Sequence, residues 1–412
     1  MPALKPLKKL VGKAHDLREA HRARHRPTGY GFALADSIDY LDAAHWDALA
    51  ADSDAPSSVF LGRPYLRVLE RAAPENLRGR YALIYGAGAR PLAAVAAQSV
   101  SLSVSRVQKK EDSRRTRAVA APLRRIEERM LVCGNLLSWG QHGVAFAAGA
   151  DKSELWPAVA EALYRLRRAD RLSGDTDLVM VKDIPDAEAA QAEALARYSY
   201  RPLETDPDMV LEFAPAWRGY EDYLASLNAK YRKAARQIDK DVTAAGCRVE
   251  TIEDVAEHAG ELHALYLQVH ENARLRLVTL RPEFIPALAQ TFGANFRCTV
   301  VRRGDGEMLG FVTTLKDGET AVGYYMGFDR ATNAEVPVYL RLLQAVVDDA
   351  IKLGCRRLSL GRTALEPKAR LGARPAPLRV WIRHRIPALN VLVRGLLHAA
   401  HHDEAPERNP FK

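Results

Sequence analysis

Cysteine is scarce and scattered in this chain. Cys133, Cys247, Cys298 and Cys355 are the only four among 412 residues, and none forms a CxxC pair. That spacing argues against a disulfide framework and against a thiolate metal centre, so no metal is expected and a reducing cytoplasm fits. No apolar run approaches the roughly 20 residues needed to cross a bilayer. The opening MPALKPLKKLVGKAHDLREAHRARHR lacks the apolar core of a secretory leader. Acidic residues are sparse near the ends. Residues 1–26 hold eight Lys/Arg against Asp16 and Glu19, and residues 367–402 hold seven Lys/Arg and no acid. With a formal charge of +9, the middle of the chain is therefore net negative. Basic ends of this kind meet anionic lipid or nucleic acid.

Wound as a helix, the N-terminal stretch places Leu4, Leu7, Leu10, Val11, Ala14 and Leu17 opposite Lys5, Lys8, Lys9 and Lys13. That is the pattern of a helix lying in a membrane surface; the alternatives are a solvated basic tail or a helix docked on the fold. The C-terminal IPALNVLVRGLLHAAHH repeats the pattern, with Arg394 and His398 on its polar side, and burial against the second domain is its alternative. The expected location is cytoplasmic, peripheral on the inner face of the cell membrane.

One unit of structure occurs twice. RYALIYGAGARPLAAVAAQSVSL and FRCTVVRRGDGEMLGFVTTL each read as strand, Gly-containing turn, strand. Each is followed by a further strand, a long amphipathic helix and a short apolar strand: DKSELWPAVAEALYRLRRAD with DLVMVKDI, then VYLRLLQAVVDDAIKLG with CRRLSLG. Mixed sheets flanked by helices, an α/β class of α+β character, follow. The expected divisions are a basic amphipathic segment at 1–27, a first domain at 28–215, a second at 216–385 and an amphipathic segment at 386–412. The stretch SRVQKKEDSRRTRAVAAPLRRIEER interrupts the first copy as a mobile basic loop. A single long charged helix is expected over 221–245.

This order, strand, two helices, three-strand meander, helix, strand, resembles the GNAT acyltransferase fold, and two copies in tandem resemble its Fem-type, peptidoglycan-aminoacyltransferase-like branch. The residues carrying the resemblance are KYRKAARQIDK at 230–240, YYMGFD at 324–329 and GRTALEPKARLGA at 361–373. It implies two tandem acyl-CoA N-acyltransferase domains, with acyl-CoA as co-substrate and no tightly bound cofactor. One departure stands out. The glycine turn that holds the coenzyme A pyrophosphate in ordinary GNAT enzymes is absent from DRATNAEVPVYLRLL, and GNLLSWGQHG in the first copy has glycines at another spacing.

Acyl transfer from a thioester to an amine needs a neutral amine, a polarised carbonyl and an acid for the departing thiolate. The resemblance places backbone donors to the carbonyl near Tyr325 to Gly327. Strand alternation sends only one of Tyr324 and Tyr325 into the cleft, a buried core position being the alternative for either. Gly361 ends an apolar strand where a missing side chain permits close approach, and Arg362, Thr363 and Lys368 follow around a position suited to phosphate or carbonyl oxygen. Lys368 is the first choice for an essential group, against a surface lysine; Arg362 has the alternative of pairing with Glu366. Gly327, Tyr339, Gly361, Arg362 and Thr363 are the candidate acyl-CoA contacts. For the base, His142 stands between glycines in a setting expected to expose its ring, and Glu271 ends a helix bordering the cleft; a structural histidine and a surface carboxylate are their alternatives.

The resulting expectation is an N-acyltransferase acting on a membrane-associated, amphiphilic amine, with a sphingoid long-chain base as acceptor in the manner of bacterial ceramide synthase. Its partners are acyl-CoA and an anionic membrane surface, not DNA. The first alternative is a tRNA-dependent aminoacyltransferase of peptidoglycan precursor synthesis, to which positive charge is equally suited. The second is a non-catalytic binding protein that keeps the fold. The lipid reading further expects an acyl tunnel between the domains, walled by LHALYLQVHENARL and the strands before Gly361.

Overall fold

The computed structural model describes residues 26–51, 58–103, 127–273, 276–386, 389–390, 406 and 408–412. The expected N-terminal helix, most of the C-terminal segment and the basic interruption of the first copy lie outside the described residues.

Period-two alternation builds the sheet. In β2 (Leu77–Tyr85), Tyr81 and Leu83 enter one core while Ala82 and Ile84 enter another on the opposite face. The remaining strands are β1 (Gly31–Ala35), β3 (Pro91–Ser103), β4 (Glu127–Cys133), β5 (Val144–Phe146), β6 (Leu178–Pro185), β7 (Arg201–Glu212), β8 (Cys247–Thr251), β9 (Phe296–Arg303), β10 (Met308–Asp317), β11 (Thr320–Phe328), β12 (Arg357–Ser359) and β13 (Arg374–His384). They form one mixed sheet in the order β1-β2-β3-β4-β6-β13-β7-β12-β11-β10-β9-β8, with β5 paired beside β3.

That order is the same arrangement read from both ends, with one exchange. β1, β2, β3, β4 and β6 correspond to β8, β9, β10, β11 and β12, but the last strand of each half has crossed to the other half. β13 lies between β6 and β7, and β7 lies between β12 and β13. Each half has one parallel pair, β4 with β6 and β11 with β12.

Helices cover both faces. The amphipathic helices Lys152–Ala169 and Val338–Lys352 lie over the first and second halves on one face. On the other, Ala43–Ala51, Arg63–Ala72, Ala259–His270 and Phe284–Phe292 share one core that runs across both halves. The expected long helix at 221–245 is broken into Tyr220–Ser226 and Ala229–Ala244. Leu227 turns into the core with extended backbone, and the Asn228 N–H donates to Pro410 O (2.8 Å), so tertiary pairing interrupts the helical ladder. The longer piece packs on Val338–Lys352 through Gln344 Nε2 to Ala235 O (3.0 Å) and the Arg341–Asp239 ion pair. It lies against the body of the protein and does not project as an arm.

Candidate active site

The parallel pairs hold over short runs and then part. Register ends at Cys133 with Val181 in the first half and at Val322 with Ser359 in the second. Two residues beyond those points stand Asp183 and Gly361, both in the left-handed region at φ 60° and 77°. Glycine adopts that conformation freely; an aspartate does so at a cost, so Asp183 is held there by its partners.

Those partners are cations from both halves. Asp183, fully buried, pairs with Lys182 and with Arg362, and its carboxylate also accepts from the Gly140 N–H (3.1 Å). Burial would raise this carboxyl, but Lys182 and Arg362 together hold it below the usual range. Lys182 donates in addition to Ser138 O (2.8 Å). Arg362 is thus committed across the halves, and Glu366 pairs instead with Arg370 and Arg408.

Gly361 is fixed from three sides. Its N–H donates to Asp208 Oδ1 (2.8 Å), its carbonyl accepts from Lys368 Nζ (3.1 Å), and a Cβ there would meet the Trp139 indole at 3.2 Å. Trp139, from the first half's segment between β4 and β5, donates its Nε1–H to Ser359 Oγ (2.5 Å), which donates in turn to Asp208 Oδ2 (2.6 Å). Burial raises the Asp208 carboxyl. Lys368 is no surface lysine: it is 5% exposed, and burial, opposed by Asp208, pushes its amine down to about 8.

The backbone of Lys368 is clamped as well. After the short helix Leu365–Arg370, Ala373 N–H donates to Lys368 O (3.2 Å) and Gly372 N–H to Ala369 O (3.0 Å), the paired bonds of a Schellman turn with Gly372 at φ 97°. The Phe411 ring covers Gly372 so closely that a Cβ would collide with it. Phe411 itself sits beside Trp217 and Tyr223, and Asn228 Nδ2 holds its carbonyl (2.9 Å). Thr363 is exposed, next to Ala364 in another left-handed conformation (φ 52°).

The other candidates are placed differently. Tyr324 and Tyr325 do not alternate: Val312 faces Met326 and Thr314 faces Gly323, so Thr313 alone opposes both tyrosines in a β-bulge. Their rings lie 4.6 Å apart and enter the same core. Tyr324 OH meets Tyr65 OH (2.6 Å), which accepts from Asn135 Nδ2 (2.8 Å), and Tyr325 OH donates to Leu137 O (2.9 Å). The Tyr325 N–H, expected to face the thioester carbonyl, donates to Thr313 Oγ1 (2.9 Å). Gly327 is a packing glycine: a Cβ would lie 2.5 Å from the Tyr266 backbone nitrogen. The Tyr339 N–H donates to Asn333 Oδ1 (2.8 Å), and burial pushes the Tyr339 phenol up to about 12. Asp329 caps the turn before that helix by accepting from Thr332 N–H (2.7 Å), so a carboxylate stands where a phosphate-binding turn would offer bare amides.

His142 is not the exposed base expected from its glycine neighbours. Its ring packs on Phe60 at 4.5 Å, Nε2 donates to Trp139 O (2.7 Å), and Nδ1 meets Ser58 Oγ (2.7 Å). Burial and the Lys182 charge push it down to about 4, so it is neutral and fixed at pH 7. Glu271 is exposed at its helix end, and among the described residues no hydrogen bond or ion pair joins it to the Lys368 cluster. The aromatic side chains Phe60, Tyr65, Tyr324, Tyr325 and Phe284 fill the space where the acyl tunnel was expected.

Sequence reasoning missed Lys182, Asp183, Asp208 and Trp139. The signal for the first two was present, since LVMVKDI is an apolar strand interrupted by adjacent opposite charges.

Residues 225–369 match the family model described as an acetyltransferase (GNAT) domain. The match lies within the second half, which is thus similar to an acetyltransferase (GNAT) domain. Solved structures agree on the fold. FemX superposes with a TM-score of 0.51 at 8% identity over 88% of this chain and 99% of that one. A tandem GNAT protein from the clavulanic acid biosynthesis pathway gives 0.51 at 13% identity over 87% and 99%. Proteins from two strains of Mycobacterium tuberculosis, named as a candidate 8-amino-7-oxononanoate synthase 2, are 24% identical over 359 residues, 84% of this chain. The chain spans only 45% of the length of those relatives.

Proposed function

We propose that this protein transfers an acyl group from acyl-CoA to the primary amine of a membrane-associated long-chain base, a sphingoid-type amine, at the junction built around Lys368. The observation that carries the reading is the buried Lys368 amine, brought down to about 8 beside Gly361 where the second parallel pair parts. That value lies close to the ordinary thiol value of about 8.5, so a proton passes between lysine and thiol at little cost.

In the proposed reaction the acceptor's neutral amine attacks the thioester carbonyl carbon and the C=O electrons move onto oxygen. The tetrahedral adduct collapses with cleavage of the C–S bond, and the Lys368 ammonium protonates the thiolate. The new amide nitrogen returns its surplus proton to the lysine, leaving amide and free thiol. Arg362 and Lys182 surround the site with positive charge while Asp183 fixes their positions. The packed, broken helix at 220–244 gives no support to a tRNA-engaging arm.

The test is a donor series from acetyl- to palmitoyl-CoA with a sphingoid base, and separately with an amino-acid acceptor and charged tRNA. The sphingoid base should be acylated without charged tRNA, and because aromatic side chains fill the expected tunnel space, no steep gain with donor length is expected. Turnover only with charged tRNA would reassign the acceptor.

A further inference from the structure

The end of the helix Lys152–Ala169 carries a group of like charges that the chemistry above does not use. Arg167 and Arg168 flank the Tyr164 ring at 5.4 and 5.9 Å, and Arg168 donates to its hydroxyl (3.2 Å). Arg383 of β13 stands close enough that its charge, after burial, helps push the Arg167 guanidinium down, and all three cations pull the Tyr164 phenol below its usual range. Among the described residues, none of Arg167, Arg168 and Arg383 has a carboxylate at ion-pair distance. The nearest acids are taken: Arg385 holds Asp175 (2.5 Å) and Asp177 (2.8 Å), and Arg171 also reaches Asp175 (3.9 Å).

Arg171 and Arg385, meeting at Asp175, bring two apolar tips together. Leu172 is fully exposed in the turn after the helix, and Ile386 and Leu389 are 44% and 37% exposed just beyond β13. A solvated surface gains nothing from a bare leucine beside uncompensated arginines. A bilayer interface gains from both, because apolar tips enter the acyl boundary while guanidinium groups meet headgroup phosphates. Nucleic acid would use the charge and leave Leu172 and Ile386 without a partner.

We infer that the surface formed by Arg168, Leu172, Arg383 and Ile386 docks the folded body of the protein onto an anionic bilayer. This is a contact of the folded body, at the end of the helix Lys152–Ala169 and of β13, with Ile386 opening the C-terminal segment. Its test is independent of turnover.

The experiment uses the full chain with phosphatidylcholine vesicles, with and without phosphatidylglycerol, in a cosedimentation assay at physiological salt. Arg168→Gln with Arg383→Gln should lower affinity for the anionic vesicles by more than tenfold, each basic residue near such a surface accounting for about fivefold. Leu172→Asp should also weaken binding. Arg248→Gln with Arg356→Gln, an equal change in net charge on the second half, should leave binding within about twofold. Acetylation of a short, water-soluble amine should be the same in all four proteins. Equal loss in the two charge pairs, or wild-type binding by Leu172→Asp, would overturn the assignment. So would retained vesicle binding with loss of affinity for transfer RNA, which would make the surface a nucleic-acid site.

Discussion

Asp183 and Gly361 occupy the same place in the two halves, each two residues past the end of a parallel strand pair and each left-handed. The first half uses this position to hold a carboxylate between two cations; the second uses it to bring bare backbone beside Lys368. A side chain at 361 would require both a strained φ and a shift of Trp139. Gly361→Ala should therefore cost about 1–2 kcal/mol of stability from the backbone alone, and reduce turnover as the Lys368 contact shifts. Urea denaturation and steady-state kinetics check this, and wild-type values in both would show that the approach is dispensable.

Lys368 sets a pH signature. Its folded value, about 8, lies below the ordinary 10.5, so between those limits the unfolded chain binds more protons than the native one. Stability should rise as pH climbs from about 8 toward 10, because below 8 the burial of the charge costs on the order of 3 kcal/mol. Lys368→Met should flatten that rise in chemical denaturation carried out at both pH values.

The same substitution addresses catalysis. With a protonated Lys368 as the acid, wild-type turnover should fall on the basic side with an inflection near 8. Lys368→Met should lose at least about tenfold in kcat, near 1.4 kcal/mol, together with the inflection. An unchanged pH profile would remove Lys368 from the reaction.

Arg362→Ala leaves Asp183 with Lys182 as its one remaining cation, beside the Gly140 N–H, in a buried setting and severs a tie between the halves. Breaking a buried pair from one side costs about 3–5 kcal/mol. Arg362→Lys should recover only part of this, since a single ammonium cannot reproduce the guanidinium fork. Thermal unfolding of the three proteins gives the comparison.

Phe411→Ala removes the ring that covers Gly372 and should loosen the turn holding Lys368. A loss of about 2–4 kcal/mol is expected for a largely enclosed phenylalanine. If the clamp positions the lysine, the inflection near 8 should move toward the ordinary lysine value even at temperatures where the variant is fully folded.

Much of the architecture was legible because it is written in local periodicity. The alternation of β2 and the helical stripe of Val338–Lys352 are properties of neighbouring residues. The segment Gly361 to Lys368 could be nominated for the same reason, as a strand ending on glycine before a basic stretch. What could not be read depends on distant partners. Asp183 and Arg362 are separated by 179 positions, and nothing near either one specifies the other. The Tyr324–Tyr325 bulge depends on Thr313 of the facing strand, so alternation counted along β11 alone puts one ring on the wrong side. Likewise, His142 between glycines looks open until Phe60 and Ser58, more than 80 residues earlier, close over it.

The exchange of β7 and β13 bears on how the chain is made. A first half emerging from the ribosome has β6 and β7 but not the strand that belongs between them, which follows only after some 160 further residues. Until β13 arrives, two edges with unpaired amides and carbonyls face each other across an empty slot. Such edges accept any extended segment, including β13 of another copy. Dilute refolding should therefore give monomer, and concentrated refolding should give dimers that have traded their last strands.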